Sequence, residues 1–310
     1  MKAIRMHGRG GAEHLVYEDV PEPQPGPGQV LLRVVASAIF VNELRWDETY
    51  LAPDGAPRPL PIPGRDLSGS VTEVGAGATG VSVGDAVYSM LGYSRDGAWA
   101  ECTIALPDEL APVPRTVDSV HAAATPLSAL TAWQALFEQA HLMPGQRVLI
   151  HGAAGGVGTY AVQLAHWCGA EVFATASARD DAFLRELGTD HVIDYTTIGF
   201  EDVAHDVDVV FDLVGGDTLA RSFAVVKPNG VVVSVVSVPP PPEMSPRPDV
   251  RFAYFIVQPS GEQLQRIAGL IDSGYLHPLV AEVFPLAEAR RAYDVAAHGH
   301  PRGKVVLTVS

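Results

Sequence analysis

The pattern of apolar and polar positions changes character along the chain. From Arg147 onward, short continuous apolar runs recur: Arg147-Val-Leu-Ile150, Glu171-Val-Phe-Ala-Thr-Ala-Ser177, His191-Val-Ile-Asp-Tyr195, Val207-Asp-Val-Val-Phe-Asp-Leu-Val214 and Gly230-Val-Val-Val-Ser-Val-Val-Ser237. Runs of this kind, rich in β-branched residues, are what strands covered on both faces require. Helices are predicted between them, one after Gly158 and one from Asp181 to Leu187 closed by Gly188. Strand and helix in alternation predict a doubly wound parallel sheet with right-handed crossovers.

The first part of the chain reads differently. Leu31 to Ala38, Gly69 to Gly75 and Asp85 to Met90 are short strands separated by many glycines and prolines, the texture of a compact barrel-like module. The segment Tyr275 to Ser310 returns to strand signals and ends in Gly303-Lys-Val-Val-Leu-Thr-Val309, a strand able to rejoin that first module. The predicted division is therefore 1–117 with 260–310, and 118–259. Pro239 to Pro248 reads as a proline-rich loop bridging two strands.

Composition narrows the picture. A chain of 310 residues that is 47% hydrophobic can bury two sizeable cores. Its net charge of −15 opposes an extended grip on nucleic acid or on an anionic membrane. Two cysteines, Cys102 and Cys168, suggest neither a disulfide framework nor a cysteine zinc site. With no signal peptide and no spanning segment in the sequence, a cytoplasmic location is expected.

The candidate chemistry begins where the first buried strand ends. Gly152-Ala-Ala-Gly155-Gly156-Val-Gly158 reads as the dinucleotide fingerprint G-x-G-x-x-G, with Ala153 in the first place, Gly155 in the second and Gly158 in the third; Ala154 and Val157 complete the turn. Gly155 lets backbone approach a pyrophosphate, Gly158 lets helix pack on strand, and the helix N-terminus offers N–H groups to the anion. Cofactor identity depends on the end of the next strand, where an acidic residue usually takes the ribose hydroxyls of NAD. Ser177 and Arg179 stand there instead, a hydroxyl and a guanidinium suited to a 2′-phosphate, so NADPH is the expected cofactor. The alternative is that Ser177 caps a helix and Arg179 is solvated, and Asp180 and Asp181 lie close by.

Pro63-Gly-Arg-Asp-Leu-Ser-Gly69-Ser-Val-Thr-Glu-Val-Gly75, Gly84-Asp85, Thr125-Pro-Leu-Ser-Ala-Leu-Thr131-Ala-Trp, His151 to Gly158 and Arg302-Gly-Lys304-Val-Val follow one another in an order that resembles the medium-chain dehydrogenase/reductase superfamily. Within it the chain is similar to the zinc-free quinone oxidoreductase, or zeta-crystallin-like, branch. The resemblance implies an α/β protein with a GroES-like β-barrel catalytic domain and a Rossmann doubly wound parallel sheet domain. It implies NADPH as hydride donor, a quinone or an α,β-unsaturated carbonyl (enone, enal or enoyl) as acceptor, and a homodimer formed through edge strands, with Arg251 to Val257 as that strand.

Site residues follow from the same resemblance. Asn42 and Tyr50 are the candidates for contacting the acceptor oxygen, although the family's Asn-Pro/Phe-x-Asp run is replaced here by Asn42-Glu-Leu-Arg45-Trp46 and the spacing to Tyr50 is short. Turn formation by Asn42 and aromatic packing by Tyr50 are the plainer roles. Thr131 is placed at the nicotinamide carboxamide and Tyr195 near the adenosine end. Val214, Gly215 and Ser237 sit at strand ends, Phe255 and Val257 line the cofactor, and Lys304 reaches its ribose or phosphate. Ordinary packing is the rival role of Thr131, Tyr195, Phe255 and Val257, and solvation that of Lys304. The zinc enzymes of the superfamily carry a His-Glu pair after a glycine; here Gly64 is followed by Arg65-Asp66 and the four-cysteine lobe is missing, so no metal is expected. Two function classes stay open: a reductase, including a dedicated biosynthetic enoyl reductase, or an NADPH-binding protein with little turnover.

Overall fold

The computed structural model describes residues 1–52, 54–236, 247–299 and 302–309. Two compact units divide the chain, one formed by Met1–Leu127 and Gln258–Ser310, the other by Ser128–Val257.

The first unit opens with a hairpin, β1 (Lys2–Met6) paired to β2 (Leu15–Asp19). Then come β3 (Val30–Ala38), the short helix α1 (Asp47–Tyr50), β4 (Asp66–Val74), β5 (Ala86–Met90), β6 (Cys102–Ala105), β7 (Leu110–Pro112) and helix α2 (Ser119–Ala123). The first unit runs past the break expected at 117/118, because α2 packs on β3 and β4. Asp118 caps α2, accepting from the His121 N–H at 2.9 Å. A tight approach of β3 and β4 explains one glycine: a Cβ on Gly69 would lie 2.2 Å from the Arg33 carbonyl oxygen.

The second unit holds α3 (Pro126–Trp133, from Ser128 on), β8 (Arg147–Ile150), α4 (Gly158–Cys168), β9 (Glu171–Ala176), α5 (Asp181–Glu186), β10 (His191–Asp194), β11 (Val207–Asp212), α6 (Gly216–Ser222), β12 (Val226–Ser234) and β13 (Arg251–Tyr254). Its six strands are parallel and lie in the order β10-β9-β8-β11-β12-β13. Numbered within the unit, that is 3-2-1-4-5-6, the Rossmann order, with its switch point between β8 and β9 on one side and β11 on the other. Leu149, Phe173, Ile193, Val210, Phe223 and Val232 form the core on one face.

The chain then returns to the first unit with α7 (Gly261–Asp272), β14 (Val280–Pro285), α8 (Ala289–His298) and β15 (Lys304–Thr308). β15 lies between β14 and β3 in a seven-stranded sheet ordered β14-β15-β3-β4-β5-β7, with β6 also paired to β3. This is the barrel-like module the sequence predicts and the GroES-like domain the resemblance implies, completed by its last strand. The tail is not all strand, however: α8 interrupts it, and the spacing of buried Ala289, Ala292 and Tyr293 on one face accounts for the helix. The expected strand from Arg251 stops at Tyr254, although it does occupy the sheet edge. Ser237 and most of the expected Pro239–Pro248 loop lie outside the described residues.

Candidate active site

In the second unit, β8 leads into the glycine turn and α4 leads out of it. Gly152 has φ +69°, in the left-handed region that favours glycine. At Gly158 a Cβ would stand 2.4 Å from the Gly152 carbonyl oxygen and 2.6 Å from the Ala153 Cα, so only glycine lets the helix start against the turn. Gly155 is different: it is exposed, and a Cβ would meet only the Gly152 oxygen, at 3.3 Å. Added bulk there would project toward solvent, so the backbone of the turn stays open to an approaching group. The turn therefore fits the pyrophosphate of a dinucleotide.

A buried hydrogen-bonded chain holds this turn from beneath. Ser222 Oγ donates to the Thr218 carbonyl at 2.7 Å, so it can only accept from His151 Nε2, 3.0 Å away. His151 Nδ1, 3.1 Å from Thr175 Oγ1, is then the acceptor of the threonine hydroxyl, and that oxygen in turn takes the Gly152 N–H at 3.4 Å. Burial pushes the His151 pKa down to about 4, in keeping with the neutral ring this proton order needs. Asp212, also buried, ties two strand ends together: Oδ1 accepts from the Val214 and Gly215 N–H groups at 3.1 and 2.9 Å, and Oδ2 from Ser234 Oγ at 2.9 Å. Neither network was read from the sequence. The signal was there, a histidine and an aspartate at the ends of otherwise apolar runs.

The predicted cofactor residues of this unit are distributed as follows. Thr131 is buried on α3; Tyr195, directly after β10, is exposed; Val214 is exposed and stands over Gly152, which a Cβ would bring 3.4 Å from its Cγ2. Phe255 and Val257 follow the edge strand β13, Val257 buried. Ser177 Oγ donates to Asp180 Oδ2 at 2.7 Å, and Arg179 Nε lies 3.4 Å from the same oxygen.

The first unit contributes a second constellation. Glu43 and Arg65, both buried, form an ion pair, with Arg65 Nε donating to Glu43 Oε1 at 2.9 Å. Arg65 Nη1 donates to the Gly92 and Arg95 carbonyls at 2.7 and 3.0 Å, while Nη2 finds no acceptor among the described residues. Beside it, Asp66 Oδ1 accepts the Leu127 N–H at 2.6 Å and Oδ2 faces Lys304 Nζ at 3.4 Å. Burial pushes Asp66 up to about 6, against the pull of the Lys304 ammonium.

Between the two cations runs a row of half-buried rings. Lys304 Nζ stands 5.5 Å from the Phe40 ring centroid, Phe40 is 5.0 Å from Trp46, Trp46 is 5.5 Å from Tyr93 in an edge-on contact, and the Arg65 guanidinium lies 6.0 Å from Tyr93. Asn42, on the exposed side of the turn Val41–Arg45, is close in sequence to this row. Tyr50 takes its plainer role: it is buried, its hydroxyl donates to the Leu44 carbonyl at 2.7 Å, and Arg9 covers its ring at 4.5 Å. Lys304 is held by Asp66 and Phe40. The sequence reading missed Glu43, Trp46 and Tyr93 as members of one group.

Comparison with known proteins settles the family. Residues 26–115 match the alcohol dehydrogenase GroES-like domain and residues 187–307 match the zinc-binding dehydrogenase domain. The chain is 34% identical, over 95% of its own length and 96% of the relative's, to a protein of Arthroderma benhamiae described as a probable zinc-binding oxidoreductase, mitochondrial. The chain belongs to the medium-chain dehydrogenase/reductase superfamily. Another relative within the superfamily is an NADPH-dependent alkenal/one oxidoreductase, chloroplastic, of Arabidopsis thaliana, 33% identical over 99% of this chain and 79% of that one. Among solved structures, the quinone oxidoreductase from Coxiella burnetii superposes with a TM-score of 0.87 at 32% identity, covering 100% of this chain and 99% of that one. The superfamily's nicotinamide cofactor fits the glycine turn just described. No described helix is long and apolar enough to cross a membrane, and the described residues contain no group of three or more His, Cys, Asp or Glu able to hold a metal.

Proposed function

We propose that this chain is an NADPH-dependent oxidoreductase that works without zinc and reduces a quinone or an α,β-unsaturated carbonyl compound. The observation that carries the reading is the row Phe40, Trp46 and Tyr93 with a buried cation at each end, Lys304 and Arg65. Flat conjugated acceptors stack on aromatic faces, and their oxygens gain negative charge on reduction, which buried cations stabilise. The names of the Arabidopsis and Coxiella relatives agree with that acceptor class.

The metal-free part of the reading rests on what Arg65 does. It follows Gly64, where the zinc enzymes carry a ligand; a guanidinium cannot ligate a cation, and it occupies Glu43, a carboxylate that could otherwise serve. When bound, the nicotinamide supplies the hydride. The chain's own residues hold the pyrophosphate at Gly155 and Gly158, with Thr131, Tyr195, Val214, Gly215, Phe255 and Val257 as further cofactor contacts, and orient the acceptor through Asn42. Ser177 and Arg179 are the 2′-phosphate side of the site, which favours NADPH. We further propose a cytoplasmic homodimer paired through the β13 edge, where Tyr254 and Ile256 are exposed.

Purified protein treated with a chelator and offered NADPH or NADH with a small quinone, a 2-alkenal and a cyclic enone tests the reading. Turnover that survives chelation and prefers NADPH is expected. Activity restored only by zinc overturns the metal-free assignment, and NADPH binding without oxidation by any acceptor supports a binding protein instead.

A further inference from the structure

The corner after β9 holds more acid than a 2′-phosphate pocket needs. Asp180 is 4% exposed, and one of its oxygens, Oδ2, engages both residues assigned to the phosphate: Ser177 Oγ donates to it at 2.7 Å and Arg179 Nε approaches it at 3.4 Å. Asp181, next in the chain, pairs with Arg185 at 2.7 Å, and the Asp194 carboxylate is held below its ordinary pKa first by the Thr196 hydroxyl and N–H, with the Ala178 N–H adding to them. Arg179 is thus the cation of this corner that Asp180 engages.

We propose that Asp180 is the residue that limits cofactor selectivity here, so that the protein takes NADPH but also accepts NADH. This rests on the NADPH reading above. Two effects act in one direction. The Ser177 hydroxyl proton is committed to Asp180, so Ser177 presents lone pairs, not a donor, to an incoming phosphate. The buried carboxylate also offsets part of the Arg179 charge and repels a dianion placed against that guanidinium. NADH, with a ribose hydroxyl in place of the phosphate, escapes the repulsion and can donate to Ser177. The acidic residue sits behind the pocket and sets its potential, and Arg179 is left as the phosphate's main contact.

Equilibrium titration of the full-length protein with NADPH and NADH, read by nucleotide fluorescence and needing no acceptor, tests this. Asp180→Asn keeps an acceptor for Ser177 and removes the charge; it should tighten NADPH binding about three- to tenfold with NADH nearly unchanged. Ser177→Ala, which keeps the charge, should leave NADPH affinity within about twofold. Arg179→Ala should weaken NADPH about tenfold or more and spare NADH. An NADPH affinity unchanged or weakened in Asp180→Asn, with Arg179→Ala behaving as expected, overturns the Asp180 assignment alone. Equal losses of both cofactors in Arg179→Ala overturn the NADPH reading itself. Should Asp180→Asn fail to fold, a large loss of NADPH affinity in Ser177→Ala still overturns the proposal, because it would show Ser177 acting as a phosphate donor.

Discussion

Glu43 meets Arg65 through a single carboxylate oxygen: Glu43 Oε1 accepts from Arg65 Nε and from the Gly64 backbone N–H, both at 2.9 Å, while the two side chains are 0% and 1% exposed. Nothing about the pair is local. The 3-10 turn that carries Glu43 and the start of β4 are 22 residues apart, and the bond fixes one against the other. Removing one charge of such a pair leaves the other buried and uncompensated. Glu43→Gln should therefore cost about 3 kcal/mol or more in denaturant unfolding of the first unit, and the double change Glu43→Leu with Arg65→Met should recover most of it. Equal stability of Glu43→Gln and the parent would show the pair to be solvated.

The His151 network makes the second unit sensitive to acid. Its folded pKa, about 4, lies below the ordinary value of 6.5, so in the window between them the unfolded chain binds the proton more tightly. The unit is fully supported above pH 6.5 and should lose on the order of 3 kcal/mol as the pH falls through that window. Amide exchange of β8, β9 and β11 at pH 7 and pH 4.5 measures this, and His151→Gln should flatten the difference.

Asp66 acts in the opposite sense in the first unit. Its folded pKa of about 6 exceeds the ordinary 3.8, so the stability linked to its proton is present in acid and lost as the pH rises through 6. The Lys304 ammonium is the largest influence holding that value down. Lys304→Met should move the Asp66 titration further up, visible in the carboxyl carbon resonance. An unmoved titration would mean that the ion pair does not form in solution.

Two glycines of the turn should separate folding from binding. Gly158→Ala meets backbone at 2.4 Å and must displace the start of α4, so the unit should be destabilised along with cofactor binding. Gly155→Ala meets one oxygen at 3.3 Å and should unfold much as the parent does, yet bind NADPH at least tenfold more weakly if the pyrophosphate seats at this turn as proposed. Calorimetry and nucleotide titration on both variants check this, and normal binding by Gly155→Ala would place the pyrophosphate elsewhere.

What the sequence makes legible follows from how each element is held. The parallel strands are buried on both faces, so their β-branched runs end within a residue or two of β9, β10 and β11. α5 announces itself between Asp181 and Gly188. The tail misled because α8 is two-faced, with Arg290, Arg291 and Asp294 breaking the apolar pattern between two true strands. The charged cluster was invisible for another reason. Composition assigns Glu and Arg to solvent, and the partner that allows Arg65 to be buried lies 22 residues away in a turn with no pattern of its own. Tyr50 was legible as a position but not as a role, because the carbonyl that accepts its hydroxyl's hydrogen bond belongs to the turn before it.

The place of β15 in its sheet has a consequence for biosynthesis. This strand, residues 304–308, inserts between β14 and β3, and it brings the ammonium that Asp66 faces. A ribosome releases β3 and β4 long before β15, and at about 5–20 residues per second the interval is tens of seconds. Throughout it the edge of β3 that will hold β15 lacks its partner, an open template of the kind that draws in stray strands. Residues 128–257 are contiguous and can close as soon as they emerge. The contiguous middle unit can therefore close before the first, whose β3 edge waits longest for its partner.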